Sequence, residues 1–209
     1  MVISLRKIYV LCVLLFICGL ASCSGTGTLE NVKYKNHVLQ QRKIKNTFFK
    51  ESPESPLLEE QQWRFTTLHY YPVNVILKLN AQANLIADQT PLQLRTSTGH
   101  ERFYVPRYYL EFEIEGQRLH LTAYQQVEEV AQGSTNYFVP FTDLTSGEET
   151  YGAGRYLEFD YGGVGAVLLD FNFSYNPYCA YNFNFSCPIP PPDNHLNVAV
   201  KAGEMTFVE

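Results

Sequence analysis

The stretch "YLEFEIEGQRLHLTAY", residues 109–124, leaves this chain less conformational freedom than any other. Leu110, Phe112 and Ile114 alternate with Glu111, Glu113 and Glu115, and side chains repeat every second residue only in a strand. Gly116 and Gln117 then turn the chain, and Leu119, Leu121 and Ala123 return along the same apolar face, which predicts a β-hairpin with one side in a core. A hairpin of this kind needs a partner layer. Shorter strand-like runs supply candidates: "VNVILKLN", "LQLRTST", "YFVPF", "RYLEFDY", "AVLLDFNF", "LNVAV" and "MTFV".

One segment has helical spacing instead. Tyr34, Val38, Arg42, Lys45 and Phe49 recur three or four residues apart, so a helix is predicted over about Glu30–Lys50. The two Ser-Pro steps of "ESPESPLLEE" end it, because the residue before a proline is pushed toward extended forms. No segment repeats at a fixed period. The predicted fold is mainly β, an antiparallel β-sandwich or partly closed barrel with one N-terminal helix.

The chain begins "MVISLRKIYVLCVLLFICGLASC". Arg6 and Lys7 precede an apolar run that is short for a bilayer span of about 20 residues, and small residues follow. That order reads as a secretory signal, and "LASC" resembles a bacterial lipobox, whose cysteine is acylated after cleavage. The expected organisation is a lipoprotein signal peptide over 1–22, lipidation (palmitate among the acyl groups) at Cys23, a flexible tether over 23–29 and a single β-rich domain over 30–209. Ser24 resembles the residue that directs such proteins to an outer membrane. The expected location is therefore the cell envelope, with the lipid as membrane anchor. The basic residues of the helix, Lys33, Lys35, Arg42, Lys43, Lys45 and Lys50, either face solvent or lie against anionic head groups.

From Gln61 onward eight basic residues oppose sixteen acidic ones, a net −8. Nucleic acid is thereby excluded as an expected partner, since no basic groove is available for phosphates. Cleavage and lipidation leave only Cys179 and Cys187. In an oxidising compartment an even pair defaults to a disulfide, with free thiols and a metal pair as alternatives. Seven residues separate them, whereas zinc motifs favour two to four, so no metal is expected.

The pieces "PFTDLTSGEETYGAGRYLEFDYGG" and "LLDFNFSYNPYCAYNFNFSCPIPPPDNHLNVAVKAGE", preceded by "SPL", "LHYYPVN" and "TSTG" in that order, resemble the domain of unknown function 1684 family. These are bacterial and archaeal proteins of about this length without an assigned activity. Tyr178 stands where many members have proline, and His195 where arginine is usual. The resemblance implies no reaction and no cofactor. It marks positions as ligand-binding candidates: Asp143, Tyr151, Arg155, Asp170, Asn172, Asn176, Asn194 and Glu204.

Arg155 follows "YGAG", and a guanidinium held there suits two-point binding of a carboxylate. Asp170 and Glu204 are its candidate internal partners, in a buried bridge that fixes register; a ligand is the alternative. Arg155, Asp170, Asn172 and Asn176 are expected to converge beside the cysteines. The five histidines form no His-x-x-x-His pair, there is no Gly-x-Ser-x-Gly elbow, and no nucleophile–base pair is visible. Tyr175, Tyr178, Tyr181, Phe183 and Phe185 crowd the cysteines, either as core or as stacking faces for a small-molecule, glycan or peptide ligand. "PIPPP" suits a rigid strap. The expected function is a tethered ligand-binding or accessory module with its pocket near this strap. The alternative is an envelope hydrolase using Arg155 and Asp170.

Overall fold

A computed structural model describes residues 25–208. The expected signal peptide, 1–22, and the expected lipidation site, Cys23, lie outside the described residues. The chain parts into two units, Met1–Gln40 and Gln41–Glu209. Helix α1 spans Gly25–Glu51; it starts inside the 23–29 segment read as a tether, of which residues 23 and 24 are not described. Among the described residues no helix is long and apolar enough to cross a membrane.

The end of α1 is set as expected by the Ser-Pro pair. The Ser55 hydroxyl donates to the Phe49 carbonyl at 2.8 Å, satisfying a carbonyl that the last helical turn leaves open. A short helix that the strand reading did not foresee, α2 (Glu59–Arg64), follows, and the Gln61 side chain accepts from the Leu58 N–H at its start. Phe49, Leu57, Phe65, Leu68 and Tyr181 form a small core between these segments.

The body is one antiparallel sheet built from β1 (Lys78–Leu85), β2 (Leu92–Leu94), β3 (Arg102–Ile114), β4 (Gln117–Gln126), β5 (Asn136–Asp143), β6 (Arg155–Asp160) and β7 (Val167–Asp170), with a five-residue helix α3 (Val127–Ala131) after β4. The strand order is β6-β5-β4-β3-β1-β7, with β2 on β3 and the two-residue β8 (His195–Leu196) parallel to β5. The sheet curls until a bridge between Tyr156 of β6 and Tyr175, just past β7, nearly closes it into a barrel. Two backbone hydrogen bonds make that bridge, at 2.8 and 3.0 Å. The expected fold class is the observed one.

The hairpin is as its alternation predicted. Leu110 faces Leu121 and Phe112 faces Leu119 across β3 and β4, and Leu110, Leu121 and Ala123 are fully buried while the glutamates are exposed. Each fully buried leucine contributes about 1.5–3 kcal/mol of transfer free energy. The turn itself is Glu115–Gly116 rather than Gly116–Gln117: both have positive φ, 53° and 77°, as the tight turn matching strand twist requires. Register shifts between Pro106 and Tyr108, so a bulge absorbs the proline that cannot donate to the ladder.

Two expected strands are mostly something else. In "VNVILKLN" the Asn74 side chain accepts from the Ile76 N–H at 3.0 Å and winds Val75–Leu77 into a 3-10 turn before β1 starts at Lys78. In "LNVAV" only Leu196 is in a strand. Val198 and Val200 are buried, but the Val200 N–H goes to the Asp143 carboxylate at 2.7 Å instead of a neighbouring strand. "MTFV" forms no strand either; its Met205 N–H donates to the His69 carbonyl at 2.9 Å.

Candidate functional site

Arg155 opens β6 directly after Gly154, whose φ of +96° and close approach to the Phe141 carbonyl admit no side chain. Its guanidinium is buried and meets neither Asp170 nor the Glu204 carboxylate. One nitrogen donates to the carbonyl of Ala202 and, at 3.2 Å, to that of Glu204. The other donates to the Val200 carbonyl at 2.9 Å and to the Asp143 carboxylate at 3.3 Å. Register explains the choice, since Phe141 pairs with Arg155 and puts Asp143 just beyond. Asp143 is filled as well, accepting from the Val200 N–H, the Thr145 hydroxyl and the Ser146 hydroxyl. Burial pulls the Arg155 pKa below its ordinary value while Asp143 opposes the shift. Arg155 and Asp143 thus tie the C-terminal segment 200–204 to the sheet.

The other candidates fall into separate clusters. Asp170 accepts from the backbone and side chain of Asn172 at 3.1 and 3.0 Å. The Asn172 amide exchanges hydrogen bonds with the Asn74 backbone, at 2.7 and 2.8 Å, and so pins the turn before β1. Asn194 is fully buried; its carbonyl accepts from the Thr122 N–H, and its amide donates to the Thr122 and Pro140 carbonyls. It fills a gap between β4 and β5 as an extra strand would. The Tyr151 hydroxyl donates to the Cys179 sulfur at 3.9 Å. The expected convergence of Arg155, Asp170, Asn172 and Asn176 does not occur.

Asn176 and Glu204 do meet. The Asn176 N–H donates to Glu204 Oε2 at 2.9 Å, and the Tyr181 hydroxyl donates to the same oxygen. Glu204 Oε1 pairs with Lys45 Nζ at 2.5 Å. Burial first, and then the Glu204 charge, raise the Tyr181 pKa well above its ordinary value.

Lys45 and Glu204 both line a groove of about 780 Å³, all of it within the second unit. One wall is the last part of α1, with Arg42, Lys45 and Phe48. The others are Arg102 and Tyr104 of β3, Phe138 of β5, Tyr156 and Glu158 of β6, and the strap residues Tyr175, Tyr178, Phe185, Cys187 and Pro188. Lys45 Nζ sits 4.9 Å from the Tyr175 ring centre and Arg42 stacks 4.5 Å from that of Tyr70, a favourable cation–aromatic geometry. Two of the groove's carboxylates are engaged: Glu158 accepts from the Tyr175 hydroxyl at 2.5 Å and Glu129 from the Gln126 N–H at 2.8 Å. Tyr70 lines the groove, and its hydroxyl is buried behind that surface and makes no hydrogen bond among the described residues. Its pKa is raised by burial and by Glu204.

The expected disulfide is corrected. Cys179 and Cys187 are free thiols, and the Cys187 sulfur accepts from the Cys179 N–H at 3.1 Å instead of bonding to the other sulfur. The Cys187 thiol also hydrogen-bonds Cys179, which draws the Cys179 pKa down to about 7 against the effect of burial. The same contact and burial push Cys187 upward.

Sequence reasoning named Asn172, Glu204 and the strap rings Tyr175, Tyr178 and Phe185 from the groove but missed Lys45, Tyr70 and Glu158. Lys45 was visible on the helical stripe, where it looked like one more solvated cation. Nothing local marks it as the partner of a carboxylate at position 204.

A family model described as "Protein of unknown function (DUF1684)" matches residues 63–205. The solution NMR structure of an uncharacterized protein of Haloarcula marismortui is 32% identical, with 86% of this chain and 98% of that chain covered and a TM-score of 0.66. No curated protein matches.

Proposed function

The chain belongs to the DUF1684 family, whose description carries no activity, and from that premise we propose that it is a lipid-tethered binding module of the cell envelope. Its groove takes a small organic acid with an aromatic or acyl body. The lipobox-like "LASC" supports the tether, with acylation at Cys23.

The observation that carries the ligand class is the Tyr70 hydroxyl, buried beside the groove without a hydrogen-bond partner among the described residues. A buried polar group in that state costs about 1–3 kcal/mol unless something satisfies it. Lys45 lies on the same groove with three donors, of which Glu204 Oε1 accounts for one. The groove therefore offers donors, while its carboxylates are already engaged, and an acceptor-rich anionic end is the complementary ligand. The aromatic walls suit a flat or acyl body. Arg155 is buried away from the groove, so a hydrolase built on Arg155 and Asp170 gains nothing from this geometry.

Thermal shift of the full chain in detergent tests the ligand, with 4-phenylbutyrate and octanoate as probes and the matching alcohols as controls. The acids should stabilise saturably and more than the alcohols, and Lys45→Met should erase the difference. Equal shifts from acids and alcohols in the wild type, or none at all, overturn the reading. Incorporation of labelled palmitate, lost in Cys23→Ser, tests the tether; unlabelled wild-type protein from the native host overturns it.

A further inference from the structure

The groove leaves one reactive pair unexplained. Cys179 rides on a single 3-10 turn closed by the Ala180 N–H to Pro177 carbonyl bond at 2.9 Å and the Tyr181 N–H to Tyr178 carbonyl bond at 3.0 Å. Cys187 is held from the other side by Ser97, whose N–H donates to its carbonyl at 2.9 Å and whose hydroxyl accepts its N–H at 3.1 Å. Pro188 then stiffens the exit. Two thiols are thus fixed side by side by backbone that belongs to different segments.

Donors point at both sulfurs. The Cys179 N–H meets Cys187 Sγ, and the Tyr151 hydroxyl meets Cys179 Sγ at 3.9 Å. Donors of this kind stabilise negative sulfur and form the outer shell of many metal–thiolate sites. Cys179 is half-buried and gives access, whereas Cys187 is buried. Among the described residues no group of three or more His, Cys, Asp or Glu stands ready for a metal ion. A structural zinc ion, which needs four ligands, is therefore not served. Two sulfurs without a third donor match the needs of a soft monovalent ion that accepts two ligands.

We propose that Cys179 and Cys187 form a two-coordinate thiolate site for a soft monovalent cation, copper(I) foremost. Loading breaks no covalent bond except S–H: each thiol that binds releases its proton to solvent, two sulfur–copper bonds form, and copper remains copper(I). The site is separate from the acid-binding reading and does not depend on it, although Cys187 also lines the groove.

The test uses the reduced full chain in detergent with Cys12, Cys18 and Cys23 changed to serine, so that only this pair can respond. Copper(I) is offered as its bicinchoninate complex, and loss of the complex's colour reports transfer. One equivalent should be withdrawn, zinc(II) should not compete, and Cys179→Ser or Cys187→Ser should weaken transfer by at least about 100-fold, the upper end for loss of an outer-shell partner. X-ray absorption of the loaded parent protein should show two sulfur neighbours, which decides the matter even if a serine variant fails to fold. No transfer, undiminished transfer in a folded Cys179→Ser chain, or a nitrogen- or oxygen-dominated shell overturns the proposal. So does mass spectrometry of unreduced native protein that finds residues 179 and 187 covalently joined.

Discussion

Two cation–carboxylate pairs sit below the surface of this protein, and they do opposite things. Arg155 and Asp143 are wholly enclosed, with side-chain exposures of 0% and 0%, and the guanidinium is spent on three backbone carbonyls as well as its partner. Lys45 and Glu204 enclose only the carboxylate: Glu204 is 2% exposed while Lys45 is 28% exposed and faces a groove. The first pair closes the fold by holding its last segment. The second leaves donors available. The same ionic chemistry becomes architecture or a site according to how many of its donors the chain itself consumes.

Removing the enclosed cation tests this contrast most severely. Arg155→Met strands Asp143 and three carbonyls in the interior, and loss of one partner of a buried pair costs about 3–5 kcal/mol. Urea unfolding should show a loss of that size, and a cost below about 1 kcal/mol would dissolve the distinction between the two pairs. Lysine at 155 should not rescue it, because an ammonium lacks the planar fork that spans several acceptors.

Alkaline titration reaches the second region as a whole. Tyr156 and Tyr181 are buried, and burial holds both above their ordinary pKa of 10.0. A raised folded-state pKa means that the stabilisation is complete below pH 10 and declines as pH rises above it, because the unfolded chain ionises first. The decline is up to about 1.4 kcal/mol per pH unit for each tyrosine that stays neutral. Phenolate absorbance should therefore lag for these residues and then rise together with loss of circular dichroism. A smooth titration of all tyrosines in a folded protein would contradict their burial.

Lys45→Met should cost less, about 1–2 kcal/mol, since Glu204 keeps two hydrogen bonds after its cation is gone. A loss as large as that of Arg155→Met would make Lys45 structural after all. Tyr70→Phe should change stability least, within about 0.5 kcal/mol or in the stabilising direction, because it removes a hydroxyl without a partner. Acid binding should nonetheless weaken about tenfold, the loss of one hydrogen bond of about 1.4 kcal/mol. Unchanged binding in this variant would remove the hydroxyl from the site.

How much of this was readable without coordinates depends on the range of the interaction. The period-two run from Leu110 to Ala123 named its own core face because side-chain direction in a strand is set by the backbone alone. The Ser-Pro stop after α1 is local in the same way. Asn74 defeated the strand reading of "VNVILKLN" because a side chain that caps its own neighbourhood competes with the ladder. The family resemblance marked Asp143, Arg155, Asn172, Asn176, Asn194 and Glu204 as positions to test, and the structure buries all six. Their partners were not marked: Arg155 chose Asp143 through strand register rather than Asp170 or the Glu204 carboxylate.

The sequence by itself determined the strand periods, the hairpin and the helix with its proline stop, since each follows from residues close together along the chain. The tertiary structure alone decided that Lys45 meets Glu204, that the Tyr70 hydroxyl has no hydrogen-bond partner among the described residues, and that two thiols eight positions apart are held adjacent. Those outcomes depend on how a curled sheet gathers the last turns of α1 (from Gln41 on), the strap and the C-terminal segment. Packing and register set such encounters, and no periodicity along the chain encodes them.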